Sequence, residues 1–112
     1  MVADFSRILA GPFAASSLGE FGADVIKIEL PDGVGDRARM IGSRRNGISA
    51  IFSGVNRGKR SVVLDLRDFD DHAAFDRLLS TADVLVTNMR PGALERLELG
   101  PDHVCARHPR LV

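Results

Sequence analysis

The sequence holds no tryptophan and no tyrosine, and its only aromatic side chains are six phenylalanines. Spread through apolar positions, they read as core and not as a platform for stacking bases. A single cysteine, Cys105, excludes an intrachain disulfide and fits a reducing compartment. Net charge is also missing. Fifteen basic residues balance fifteen acidic ones, so no whole-molecule field draws the chain to nucleic acid or to a membrane. No apolar run approaches the roughly 20 residues that span a bilayer. Asp4 and Arg7 interrupt any secretory h-region near the start, which makes the cytoplasm the expected location. There is no Walker loop and no serine nucleophile elbow. His72, His103 and His108 are scattered, and His103 and Cys105, two residues apart, do not share a helix face. No metal is expected.

What is present is an alternation of short strands and helices. With 112 residues, 45% hydrophobic and 27% charged, the chain is at most one domain with a sizeable core. Val2 to Phe5 reads as a strand, and Arg7 to Pro12 turns the chain. Pro12 suits the first position of a helix through Leu18 and Phe21, which Gly22 stops. Asp24 to Glu29 is the next strand, so the opening segment predicts a β-α-β unit. Pro31 to Gly47 reads as a long loop, with Asn46-Gly47 a turn, and Ser49 to Val55 is ambiguous between helix and strand. Val62 to Leu64 is a buried strand, and Asp68 caps a helix with Phe69, Ala73, Phe75, Leu78 and Leu79 on its apolar face. Asp83 to Asn88 is the clearest strand. Pro91 to Leu97 and Pro101 to Ala106 are short helices, and Arg110 to Val112 begins another strand. The pattern predicts an α/β doubly wound domain.

Local charge is biased where the total is not. Arg37, Arg39, Arg44, Arg45, Arg57, Lys59 and Arg60 follow one another with no acidic residue between Arg37 and Arg60. The stretch Asn56 to Asp65 runs from three cations directly into an apolar strand. It is either a seat for a phosphorylated ligand or a solvated positive loop. In an open parallel sheet the ligand crevice lies outside the C-terminal strand ends. Asn88-Met89-Arg90-Pro91-Gly92 stands at one such end. There Asn88 offers a donor and an acceptor and Arg90 a planar fork for phosphate or carboxylate. Alternatively, Asn88 only caps the next helix and Arg90 faces water. A dinucleotide site of the usual kind is not expected. Glu29 sits where a ribose-binding acid would, but Leu9 to Phe13 lacks the glycine spacing, and Pro12 and Phe13 would block a pyrophosphate.

Six collinear segments carry a family resemblance: SRILAGPF (Ser6 to Phe13), GADVIKIE (Gly22 to Glu29), NRGKRS (Asn56 to Ser61), LDL (Leu64 to Leu66), ADVLV (Ala82 to Val86) and NMRPG (Asn88 to Gly92). Together they resemble the N-terminal part of the class III, CaiB/BaiF-type CoA-transferases. Relatives of that kind include formyl-CoA transferase, carnitine CoA-transferase and α-methylacyl-CoA racemase. The resemblance implies a Rossmann-like large domain that binds coenzyme A or an acyl-CoA thioester as substrate, and an interlocked homodimer for the full-length enzyme. By matched position, Ile8, Leu64, Arg67, Asn88, Met89, Arg90, Arg96 and Leu97 would line the CoA site, with Arg37 to Arg39 near its nucleotide end. Leu30 departs from the basic residue many members carry after the second-strand glutamate. Leu9 departs from the glutamine of formyl-CoA transferase, which disfavours that substrate.

The resemblance also places the catalytic aspartate, the rest of the large domain and the small domain beyond these 112 residues, so no catalytic residue is assigned. The leading expectation is therefore the CoA-binding N-terminal segment of an acyl-CoA:carboxylate CoA-transferase. In it Asn88 and Arg90 would hold the cofactor, and Lys59, Arg60 and Arg67 would supply positive charge. The alternatives are a racemase-type enzyme fragment, an inactive truncated remnant, and a generic nucleotide-binding module.

Overall fold

A computed structural model describes all of residues 1–112. In chain order it forms β1 (Val2–Phe5), α1 (Ala10–Glu20), β2 (Val25–Glu29), β3 (Arg44–Arg45), β4 (Ile48–Ser49), α2 (Ala50–Val55), β5 (Arg60–Val63), α3 (Phe69–Leu79), β6 (Val84–Thr87) and α4 (Pro101–Arg107). Short 3-10 turns cover Arg37–Met40 and Glu95–Leu97. Four strands make one all-parallel sheet in the order β5-β2-β1-β6. The first two crossovers step one way from β1 and the last returns to its other side. That is the Rossmann-like half-sheet, with its reversal of strand order between β1 and β6. The fold is thus α/β with helices flanking a parallel sheet, as the alternating pattern predicts.

The two faces of the sheet differ in chemistry. Successive side chains on a strand point to opposite faces. Ala3 and Phe5 of β1 join Ile28, Leu64, Leu66, Phe75, Leu79, Leu99 and Val104 in the main core, where the Phe5 and Phe75 rings stand 5.7 Å apart. Val2 packs instead with Val25 and Ala15 of α1. Asp4 and Lys27, paired in register on β1 and β2, are buried.

Local signals were mostly legible, with differences at element ends and in burial: β5 is an edge strand with Val63 exposed where a buried strand is expected, and Phe69 at the start of α3 is exposed and off the apolar face. Helix α1 begins at Ala10, two residues before the expected start, so Pro12 is its third residue. The first four helical N–H groups have no intrahelical partner, so a proline costs nothing there either. Gly22 takes φ +99 just after the helix, as a C′ glycine does. The expected loop from Pro31 to Gly47 is partly ordered: β3 and β4 form an antiparallel hairpin. Asn46 and Gly47 turn it with φ of +53 and +79, the two left-handed positions a tight hairpin needs. The ambiguous Ser49 to Val55 resolves as a helix because the Ser49 side chain accepts from the Phe52 N–H at 3.2 Å. The expected helix from Pro91 to Leu97 is only the turn Glu95–Leu97. At the far edge Val112 donates to Asp83 O at 3.0 Å and accepts from Leu85 N at 2.9 Å, extending the sheet beyond β6 in parallel sense.

Candidate functional site

The strand-order reversal leaves a crevice of about 600 Å³ at the C-terminal ends of β1 and β6. Its walls are the segment after β1 (Arg7 to Ala10), the segment after β6 (Asn88, Met89, Arg90, Ala93), and Arg37 and Arg96 from the two 3-10 turns. Four arginines and no acid line it. None of the ion pairs of the fold involves Arg7, Arg90 or Arg96, and Arg37 reaches Asp32 only at 3.8 Å between exposed groups.

The two strand ends are stitched together by one amide. Asn88 accepts from the Arg7 N–H through Oδ1 at 2.8 Å and donates through Nδ2 to the Arg7 carbonyl at 2.8 Å. The side chain imitates a peptide group and continues the β1–β6 pairing past the last strand residue. Ile8, the next residue, adopts φ +69, a left-handed conformation that a β-branched side chain takes only when its surroundings over-determine it. The Ile8 N–H donates to Asp36 Oδ1 at 2.9 Å.

Behind this rim lies a buried ionic network. Lys27 Nζ donates to Asp36 Oδ2 at 2.8 Å and to the Ser6 carbonyl at 2.5 Å. Lys59 Nζ donates to Asp4 Oδ2 at 2.7 Å, to Pro12 O at 2.7 Å and to Asn56 Oδ1 at 3.0 Å. Burial pushes the Asp36 carboxyl up, but the Lys27 ammonium and the N–H groups of Ala38 and Ile8 outweigh it and hold it below the ordinary carboxylate range. For Lys59 burial wins, and its ammonium titrates below the usual lysine range despite Asp4. Glu29 spends both oxygens inside the fold. Oε1 accepts from Arg39 Nη2 at 2.7 Å, and Oε2 from Arg39 Nε at 2.8 Å and the Asp36 N–H at 2.9 Å. No oxygen is left over for a ribose there. The Arg39 guanidinium carbon itself sits over the Phe52 ring, 3.7 Å from its centroid.

The eight residues matched from the sequence fall into three groups. Ile8, Asn88, Met89, Arg90 and Arg96 meet in the crevice. Arg67 and Leu97 line a second hollow of about 590 Å³, together with Phe69 and His72 at the start of α3. Arg96 is the one residue that lines both hollows. Leu64 is 7% exposed and packs in the main core.

Three cations expected to supply free charge are already paired. Arg67 makes a two-point bond to Asp65, with Nε on Oδ1 and Nη2 on Oδ2, each at 2.8 Å. Lys59 is consumed in the buried network. Arg60, at the opposite, N-terminal end of the sheet, forks onto Asp24, which its guanidinium holds below the ordinary carboxylate range. The basic loop enters β5 at its N-terminal end because strand direction is fixed by the parallel sheet; Arg57 and Arg60 are exposed in surface ion pairs, as the solvated-loop reading has it, and only Lys59 is buried. Asp36 and Arg7 carry geometry that the sequence did not single out. A buried aspartate in a glycine-rich turn looks like turn chemistry until its partners are known.

A model of CoA-transferase family III matches residues 1–112. The chain is 43% identical over its whole length to acetyl-CoA:oxalate CoA-transferase of Acetobacter aceti, of which it covers 28%. It is 42% identical over 99% of its length to the beta subunit of succinyl-CoA–L-malate CoA-transferase of Chloroflexus aurantiacus, covering 27% of that protein. The crystal structure of a CaiB/BaiF family protein from Brucella suis superposes with a TM-score of 0.89 at 37% identity, over 99% of this chain and 30% of the other. The chain thus spans less than a third of the length of these relatives.

Proposed function

The chain belongs to CoA-transferase family III, and from that premise we propose that the β1–β6 crevice grips the phosphates of a CoA thioester. The observation that carries this reading is the set of guanidinium groups facing one hollow, three of them without any carboxylate partner. Their charge is available to an external anion, and an arginine fork matches phosphate oxygens two at a time. The nucleotide end of CoA bears a pyrophosphate and a separate 3′-phosphate. Two hollows that share Arg96 as a lining residue suit a ligand with two anionic groups some distance apart. In this reading Ile8 and Met89 offer apolar contact in the first hollow and Leu97 in the second. Asn88 acts by holding the two strand ends together, and Leu64 by packing in the same core cluster as Leu66, which lines the second hollow.

The whole protein is then an acyl-CoA:carboxylate CoA-transferase, with its covalent chemistry on residues outside these 112. We place it in the cytoplasm and in a homodimer. Exposed Phe13, Leu18 and Phe21 along α1 support an apolar partner face.

Calorimetric titration with CoA, ATP and NAD tests the reading. CoA is expected to bind most tightly. Arg90→Ala is expected to weaken CoA about tenfold, since a hydrogen bond to a charged group is worth about 1.5–3 kcal/mol and an exposed guanidinium sits at the low end. Arg67→Ala should cost less, because Asp65 already holds that fork. Equal affinity for CoA and ATP would reduce the site to a generic phosphate cleft. An Arg90→Ala variant with unchanged affinity would remove the crevice from the reading.

A further inference from the structure

Asp36 does not line the crevice but reaches two of its walls. Its Oδ1 accepts from the Ile8 N–H at 2.9 Å and from the Ala38 N–H at 2.9 Å, and its Oδ2 from Lys27 Nζ at 2.8 Å. Its own N–H donates to Glu29 Oε2 at 2.9 Å. The first bond fixes Ile8, which sits on the crevice rim at φ +69. The second caps the 3-10 turn Arg37–Met40, whose first residue, Arg37, lines the same hollow. The side chain is buried and so is that of Lys27, so water does not compete for either bond.

We infer that Asp36, fixed by Lys27, is a positioning residue for the crevice: one carboxylate holds the strained Ile8 peptide and the Arg37 turn in the geometry that receives the ligand. The inference rests on the CoA reading for its ligand and on the backbone geometry for its mechanism. A left-handed isoleucine returns to negative φ when its restraint is removed, because Cβ crowds the neighbouring carbonyl oxygen. That return would rotate the Arg7–Ile8 peptide, whose carbonyl Asn88 holds from the opposite wall. A carboxylate is required for the task. In Asp36→Asn, Oδ1 still accepts from Ile8 and Ala38, but the amide NH₂ then meets the Lys27 ammonium, donor against donor.

Two measurements on the purified chain test this. The first is residue-resolved amide exchange, with no ligand present. In Asp36→Asn the Ile8 and Ala38 amides are expected to exchange at least tenfold faster, while Phe5 and Ile28 in the sheet keep their protection. Unchanged protection at Ile8 overturns the inference, and so does a uniform loss across Phe5 and Ile28, which would make Asp36 a general stability residue.

The second is a double-mutant cycle read as CoA affinity. Glycine occupies φ +69 without strain, so Ile8→Gly removes the need for much of the restraint. Asp36→Asn is expected to weaken CoA about tenfold when Ile8 is present, and at least threefold less when it is combined with Ile8→Gly. Strictly additive losses overturn the positioning role. If the unsubstituted chain binds no CoA, the CoA reading fails, and the exchange measurement alone still decides whether Asp36 holds the rim.

Discussion

Gly11→Ala tests how tightly the floor of the crevice is built. Gly11 lies in the first turn of α1, and a Cβ placed there would stand 2.3 Å from Ser6 Cβ and 2.5 Å from Ser6 Oγ, with Asn88 Cγ at 3.4 Å. Carbon atoms in contact sit about 3.5–4.0 Å apart, so either the helix or Ser6 must shift by more than about 1 Å. Ser6 is poorly placed to give way. Its N–H and hydroxyl both donate to Asp4 Oδ1, its carbonyl accepts from Lys27, and it is 1% exposed. Overpacking costs about 1–3 kcal/mol, and this restraint places the substitution near 3. Against that, alanine is better than glycine in a helix by about 1 kcal/mol. Overpacking wins, leaving a net loss of about 2 kcal/mol. For 112 residues that lowers Tm by roughly 8 °C. A thermal melt measures it, and a CoA titration on the same sample should show weaker binding, because the strain falls between Ser6 and Asn88. A Tm equal to or above that of the unsubstituted chain would show that the helix floats over the strand ends, and the reasoning about a rigid rim would fail.

Two further outcomes follow from the same contacts. Asn88→Asp turns the Nδ2–Arg7 carbonyl bond into an oxygen–oxygen contact at 2.8 Å, so Tm should fall by several degrees and CoA affinity drop, while Asn88→Ala loses the bonds without the repulsion and should be milder in the melt. On acidification, Glu29 and Asp36 set the sign. Burial pushes both carboxyls up, but Arg39 and the Asp36 N–H for Glu29, and Lys27 and two N–H groups for Asp36, bring both below their ordinary values. Groups depressed in the folded state contribute stability that is present above the unfolded carboxylate values near pH 4 and is lost as pH falls through the folded ones. Melts from pH 7 to pH 3 should show that loss, with a shallower slope in Glu29→Gln; identical slopes would remove Glu29 from the acid response.

The fold was legible because its signals are local and repeat at every level. Val25 to Glu29 and Val84 to Thr87 are short β-branched runs, Gly22 and Asp68 mark helix ends, and Asn46-Gly47 can hardly be anything but a turn. The candidate site was half legible. Asn88, Met89 and Arg90 follow the clearest strand, so a strand-end rule finds them, and Ile8 follows the first strand in the same way. Lys59 and Arg60 resisted the same reasoning because a run of cations looks alike whether it faces a ligand or an internal carboxylate. Which it faces depends on Asp4 and Asp24, which lie 55 and 36 residues away in sequence.

The order of amino acids is thus enough to set the alternation of strands and helices, the family resemblance, and the strand ends at which arginine and amide groups gather. Those features follow from propensities, turn residues and short motifs, all of which act within a few residues. Which charges are spent and which are free is settled only by packing in three dimensions. Pairing of parallel strands brings Asp4 beside Lys27 and Asp36 beneath Ile8, and it leaves Arg7, Arg90 and Arg96 facing one hollow with no internal partner. A buried carboxylate must find a cation wherever the fold brings one, and only the cations left over can serve a ligand.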